Sequence, residues 1–172
     1  MTLAYLGLGS NLGDREAHLR RGVLHLERRA VRMVALSAVY ETTPWGYSAQ
    51  PPFLNMVACV QTSLDPFGLL DTCLAIEEEE GRTRPFPNAP RTLDIDILLY
   101  GERIIASPRL VVPHPRLADR AFVLVPLCDL APDLVHPVLG ISLRTLAERT
   151  GAQGIRRWAP PPHWQGPCPP QG

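Results

Sequence analysis

The run Arg91-Thr-Leu-Asp-Ile-Asp-Ile-Leu-Leu-Tyr100 constrains the fold of this chain more than any other segment. It is apolar and rich in β-branched residues, the composition of a strand. Side chains alternate along a strand, so Asp94 and Asp96 project from one face while Leu93, Ile95 and Ile97 project from the other. Two carboxylates side by side repel each other, and a hard divalent cation is the usual way to offset that. A carboxylate pair holding Mg²⁺ against substrate phosphates is the common design of phosphoryl-transfer sites. The other reading is a solvated strand edge whose acids discourage aggregation. On this segment alone both readings stand.

The segments around this strand set the element order. Thr2 to Gly9 is expected to be a buried strand. Asp14 can cap a following helix whose apolar positions Leu19, Val23 and Leu26 recur at helical spacing. Val31 to Tyr40 and Leu54 to Leu64 are expected as the second and third strands, separated by a loop from Glu41 to Phe53 that is rich in Pro, Gly and aromatics. Asp65-Pro66 starts a helix, with Asp as N-cap and Pro in its first turn. Leu69, Leu70, Cys73, Leu74 and Ile76 form its apolar face, and it stops near Gly81. Arg82 to Pro90 is a loop with three prolines, and the Asp94/Asp96 strand follows. The order β-α-β-β-α-β predicts an α+β, ferredoxin-like sandwich: an antiparallel sheet with both helices on one face and the other face left for a substrate. Beyond it, Arg109 to Val112 is expected as a short extra strand, and Ala121 to Leu130 and Leu143 to Arg149 as short helices. Residues 1–158 are expected to form one domain and 159–172 a Pro-rich C-terminal tail, extended or mobile.

Composition removes several function classes. The chain has 172 residues, enough for one full core, and a formal net charge of zero, so no global field draws in nucleic acid or an anionic membrane. All 17 basic residues are Arg, which excludes a Walker-type or Schiff-base lysine. Any phosphate clamp must be built from guanidinium groups, which suit bidentate phosphate contacts. Cys59, Cys73, Cys128 and Cys168 form no C-x-x-C pair, and the first two sit in apolar runs as small core residues. No charged-then-apolar leader opens the chain and no apolar run reaches the length of a membrane span. A reduced, cytoplasmic setting is therefore expected, without membrane or obligate protein partners.

Other groups could carry chemistry. Gly7-x-Gly9-Ser-Asn-Leu-Gly13 links a strand to a helix, but Leu12 stands where a dinucleotide fingerprint needs its third glycine. A tight turn requiring positive φ is the better reading. Arg82, Arg84 and Arg91 bracket a Pro-rich loop just ahead of the carboxylates, and Arg116 and Arg120 flank a break beside His114. Individually such arginines are ordinary surface charges. Clustered around Asp94 and Asp96, they are what a polyphosphate substrate calls for. Phe53 and Asn55 could hold a planar heterocycle by stacking and paired hydrogen bonds, or be a core Phe and a turn Asn. A metal-dependent glycosyltransferase also uses D-x-D, but it implies a longer chain with a Rossmann-like half. A non-catalytic RNA-binding module implies a basic sheet face, which the acidic pair opposes.

Together these segments resemble the 6-hydroxymethyl-7,8-dihydropterin pyrophosphokinase family. The resemblance is carried by Leu8-Gly-Ser-Asn-Leu-Gly13, Tyr40-x-Thr42-x-Pro44-x-Gly46, Gln50-Pro51-x-Phe53-Leu54-Asn55 and Gly81-Arg-x-Arg84. It continues in Pro90-Arg91-Thr92-Leu93-Asp94-Ile95-Asp96-Ile97 and Val112-Pro113-His114-Pro115, and spans residue 2 to about 135. It implies a ferredoxin-like fold and transfer of the β,γ-pyrophosphoryl group of ATP to the pterin hydroxymethyl oxygen. By the same resemblance Asp94 and Asp96 hold two Mg²⁺ ions, and Arg82, Arg84 and Arg91 lie near the triphosphate. Arg109, His114 and Arg120 are implied at ATP, and Ile97 and Val111 offer backbone to the adenine. Thr42, Thr43, Trp45, Phe53, Asn55 and Phe122, with Asp94, are implied in the pterin pocket. This chain departs from the family pattern at Pro87-Asn88-Ala89, where Arg-Trp-Gly is frequent, and is one residue shorter there. Thr43 stands where Pro is common, and Phe53 and Pro115 each replace a frequent Tyr.

Overall fold

The computed structural model describes residues 1–42, 51–81 and 92–163. Their elements, in chain order, are β1 (Thr2–Ser10), α1 (Arg15–Glu27), β2 (Val31–Leu36), β3 (Val39–Thr42), β4 (Phe53–Thr62), α2 (Pro66–Glu79) and β5 (Asp94–Tyr100). Then come β6 (Ile105–Ala106), β7 (Val111–Val112), a 3₁₀ turn at Leu117–Asp119, α3 (Ala121–Leu130), α4 (Leu143–Thr150) and β8 (Ile155–Ala159). The molecule is a mixed α/β protein whose strands pair antiparallel throughout.

The helix starts are local chemistry. Asp14 accepts a hydrogen bond from the N–H of Ala17, and Asp65 accepts one from Gly68 with Pro66 in the first turn. Ser142 caps α4 in the same way. In the main sheet the order is β5-β1-β4-β3-β8, with β2 also paired to β4. The expected single strand from Val31 to Tyr40 is thus two strands. Ser37 makes the break: its hydroxyl accepts the N–H of Val57 and donates to Ala38 O, while its own N–H donates to Val57 O.

Helices α1 and α2 cover one face of the sheet. Leu6, Leu8, Ile95 and Ile97 pack there against Leu19, Val23, Leu26, Leu69, Cys73 and Ile76. Leu74, expected on the apolar face of α2, is instead 43% exposed. Close approach of α1 depends on Gly22, where an added Cβ would stand 3.1 Å from Leu93 and 3.3 Å from Leu8. The opposite face, expected to be open, carries a second layer. Leu117, Leu124, Leu127, Leu143 and Leu146 from α3, α4 and the 3₁₀ turn bury Val57, Leu98 and Leu99. That layer seals one end of the face, and the ends of β1, β4 and β5 that carry Gly9, Asn55 and Asp94 lie beyond it. The segment Ile155–Ala159, which no expected element covers, adds a strand beside β3. Among the described residues no helix is long and apolar enough to cross a membrane.

Candidate active site

Residues directly opposite in a ladder share a face, so the register places the polar groups of the site. Gly9 pairs with Asp94 on one side and Asn55 on the other, and Asn55 pairs in turn with Tyr40. One row therefore crosses four strands in the order Asp94, Gly9, Asn55, Tyr40. The next row contains Asp96, Gly7 and Val57. Asp94 and Asp96 are both half-buried and flanked by the fully covered Leu93, Ile95 and Ile97.

Gly7 and Gly9 are not turn residues. Both lie inside β1, and of the three glycines in that segment it is Gly13 that has positive φ, at 66°. A Cβ on Gly9 would stand 2.9 Å from Asn55 Oδ1, and one on Gly7 would stand 3.5 Å from Leu98. Glycine at position 9 thus lets the Asn55 amide lie over the strand, and it leaves a bare floor between amide and carboxylate. Neighbouring strands are 4.7–4.9 Å apart, so the backbones carrying Asp94 and Asn55 are separated by roughly 10 Å. Strand glycines of this kind signal a close approach, and that signal was available in the sequence.

Asn55 is oriented before any ligand arrives, because its Nδ2 donates to Thr42 Oγ1 at 2.7 Å. Thr42 itself pairs with Phe53, the last described pair between β3 and β4. The Tyr40 hydroxyl donates to both oxygens of Asp129, at 3.0 and 2.8 Å, which also accepts the N–H of Ala38. Burial first, and then Asp129, push the Tyr40 phenol up to about 12, so it stays a proton donor. This link ties β3 to the last turn of α3, two turns beyond Phe122.

His114 follows the cis bond Val112–Pro113, and its N–H donates to Leu98 O, which fixes the segment against β5. Burial chiefly, then the charges of Arg120 and Arg116, lower its imidazole to about 4 against the opposing pull of Asp94. The ring is neutral at pH 7. Its Nδ1 accepts the N–H of Arg116 at 3.1 Å, so the proton of the neutral ring sits on Nε2, which can donate. Arg120 lies 5.3 Å from the centre of the Phe122 ring at the start of α3. Ile97 and Val111 lie on β5 and β7, with Val111 42% exposed. Arg109 is ion-paired with Asp71 and lies 6.0 Å from the Phe67 ring on α2. Thr43, Trp45, Arg82, Arg84 and Arg91 lie outside the described residues.

What could this arrangement hold? Two carboxylates two residues apart offer hard oxygen donors and no sulfur or imidazole, and no group of three or more metal-binding side chains occurs among the described residues. That donor set suits Mg²⁺, which keeps waters and substrate phosphates in its remaining positions. It does not suit a closed structural site for zinc.

Comparison with known proteins places this geometry in context. The model of the family described as 7,8-dihydro-6-hydroxymethylpterin-pyrophosphokinase (HPPK) matches residues 5–132. A 2-amino-4-hydroxy-6-hydroxymethyldihydropteridine pyrophosphokinase of Methylorubrum extorquens is 47% identical over 158 residues, covering 91% of this chain and 99% of that protein. The Bacillus subtilis protein of the same name is 43% identical over 157 residues, covering 91% of this chain and 90% of that one. In structure, an HPPK-DHPS protein solved with substrates superposes with a TM-score of 0.72 at 14% identity over 91% of this chain. A Plasmodium falciparum HPPK-DHPS gives 0.71 at 18% over the same share. The chain spans about half the length of those two solved proteins, 46% and 47%.

Proposed function

The chain belongs to the 7,8-dihydro-6-hydroxymethylpterin-pyrophosphokinase family, and from that premise we propose how its residues divide the work. The reaction is pyrophosphoryl transfer to 6-hydroxymethyldihydropterin in folate biosynthesis, with ATP as co-substrate. Moving the β,γ-pyrophosphoryl group forms a bond from the pterin hydroxymethyl oxygen to the β-phosphorus and breaks the bond between the α- and β-phosphoryl groups. The hydroxyl proton leaves to solvent or a basic oxygen, and AMP departs.

The single observation that carries the reading is the row in which Gly9 separates Asn55 from Asp94. The pterin ring lies over Asn55 and Thr42, between the rings of Phe53 and Phe122, and its hydroxymethyl arm crosses Gly9 toward the carboxylates. Asn55 reads the ring edge with the amide that Thr42 has oriented. Asp94 and Asp96 hold two Mg²⁺ ions, which when bound neutralise phosphate charge and steady the transferred group. His114 contributes a neutral N–H donor to a phosphate oxygen, and Arg120 a permanent charge beside it. Ile97 and Val111 present backbone to the adenine. Arg82, Arg84 and Arg91 supply further guanidinium groups to the triphosphate. Arg109 joins them only if a phosphate competes successfully with Asp71.

The β1-α1-β2-β4-α2-β5 set forms a ferredoxin-like unit, which the sheet order β5-β1-β4 with β2 beyond β4 supports. Residues 1–158 constitute the pyrophosphokinase domain and 159–172 an appendage, in a cytoplasmic enzyme of two small-molecule substrates. The test is incubation with ATP, Mg²⁺ and reduced hydroxymethylpterin. AMP and pterin diphosphate in equal amounts are expected, and ADP as the nucleotide product would overturn the reading.

A further inference from the structure

The family match ends at residue 132, yet a side chain cluster that includes residues 156 and 158 grips the rim of the site. Glu41 lies on β3 between Tyr40 and Thr42. Its Oε2 accepts Arg15 Nη1 at 3.0 Å, and its Oε1 accepts Arg156 Nε and Nη2 at 3.0 and 2.8 Å. Arg15 Nη1 also donates to Pro52 O at 2.9 Å, and Asn11 Nδ2 donates to Pro51 O at 3.1 Å. The Trp158 ring lies against both guanidiniums, 5.0 Å from Arg15 and 5.3 Å from Arg156, while its indole N–H donates to Glu16. Side chains of α1, β3 and β8 thus converge on one carboxylate, and the backbone just before Phe53 is held by the same arginine.

The position of this cluster gives it a consequence. Among the described residues β3 and β4 share three register pairs, Tyr40↔Asn55, Glu41↔Leu54 and Thr42↔Phe53. Few backbone pairs near the edge of a sheet hold a strand weakly, so side chains that bridge β3 to its neighbours add to its order. The Arg15 and Glu41 side chains are only 20% and 17% exposed, so their attraction is less screened than that of a surface pair. Arg156 chiefly, and Arg15, hold the Glu41 carboxyl below its ordinary range despite burial.

We propose that Arg15, Glu41, Arg156 and Trp158 form a clamp, completed by the C-terminal strand, that positions Thr42, Phe53 and Asn55 for the pterin. It rests on the assignment of those three residues to the pterin pocket. The four are positioning residues and touch no substrate.

The experiment is steady-state kinetics with the two substrates varied separately, and thermal melting, on Arg156→Gln, Arg156→Lys, Trp158→Ala and Asn55→Ala. Arg156 is 67% exposed, so its loss does not endanger folding. Arg156→Gln is expected to raise KM for the pterin about two- to fivefold, the worth of an ion pair with one solvent-exposed partner, and to leave KM for ATP and the melting temperature in place. Trp158→Ala should do the same, and Arg156→Lys should recover part of the loss by keeping the charge. Unchanged pterin KM in Arg156→Gln and Trp158→Ala, alongside a raised one in Asn55→Ala, overturns the clamp and spares the pocket. Equal rises for both substrates with a falling melting temperature overturn it too, by showing a merely structural role. If Asn55→Ala leaves the pterin KM untouched, the pocket assignment itself fails, and the clamp with it.

Discussion

The two faces of the central sheet are written in alternate residues of the same three strands, and they follow opposite rules. Toward α1 and α2 the strands present Leu6, Leu8, Leu54, Met56, Ile95 and Ile97, each at most 4% exposed. One residue along, toward the site, they present Gly7, Gly9, Asn55, Asp94 and Asp96. The first face is chosen for volume, and the second for the lack of it and for charge. Covering the second face completely would take two carboxylates out of water, at a cost of several kcal/mol per ion. The α3–α4 layer covers apolar Val57, Leu98 and Leu99 and stops short of the acids. Fold and chemistry are therefore separable in this sheet, and substitutions one residue apart should have opposite signatures.

The largest expected contrast is Asp94→Asn. Size is kept and charge is lost, so turnover should fall about a hundred- to a thousandfold, the scale of losing one transition-state charge contact. The melting temperature should hold or rise, because a like-charge repulsion with Asp96 is removed. Near-normal turnover at ordinary Mg²⁺ would mean that the acidic row carries no metal. The mirror case is Leu8→Ala on the covered face. A buried leucine lost from a packed core costs about 3 kcal/mol, which lowers the melting temperature by roughly 10 °C. Activity per folded molecule should be unchanged, and a loss of turnover exceeding the loss of folded protein would show that the two faces are coupled.

Gly9→Ala sharpens the comparison with a single methyl group. It would stand 2.9 Å from Asn55 Oδ1, so the amide must move while its Thr42 hydrogen bond holds it back. About a tenfold rise in pterin KM is expected, with ATP KM unaffected, because misplacing a recognition group by a fraction of an ångström is enough for that. If the substitution is silent, the floor over β1 is not where the ring arm passes.

Legibility in the sequence follows the range of the interactions. Asp14 and Asp65-Pro66 announce their helices because a cap bonds to backbone three residues away. The alternation Leu93 to Ile97 announces its strand for the same reason. The break at Ser37 is different, since the group that bonds its hydroxyl is the Val57 N–H, 20 residues on. β8 is hidden by its content, Ile-Arg-Arg-Trp-Ala, which has no apolar alternation and runs into prolines. Its pairing with β3 and its hold on Glu41 span more than a hundred residues. Gly7 and Gly9 were visible as glycines, but what they avoid is on other strands. The helical character of α3 and α4 was likewise readable, whereas their docking on the second face was not.

The smallest expected effect concerns His114, which belongs to the site end of the molecule and not to the core. Its imidazole is lowered from 6.5 to about 4, by burial first and then by Arg120 and Arg116, with Asp94 opposing. Between those two values the unfolded chain binds a proton that the folded chain refuses. Stability therefore rises with pH across that window, and it is lost as pH falls from 6.5 toward 4. His114→Asn keeps an acceptor for the Arg116 N–H and removes the titration. Melting curves recorded without Mg²⁺ or nucleotide should show the wild type losing more stability than the variant between pH 7 and pH 4.5. His136 is also lowered by burial, but it lies in the turn before α4 and is present in both proteins, so it cancels in the difference. Parallel curves would mean that His114 exchanges protons as freely in the folded chain as in the unfolded one. Roughly a quarter of the rings would then carry a charge at pH 7, and the Nε2 donor at the phosphates would be a mixture of neutral and charged forms.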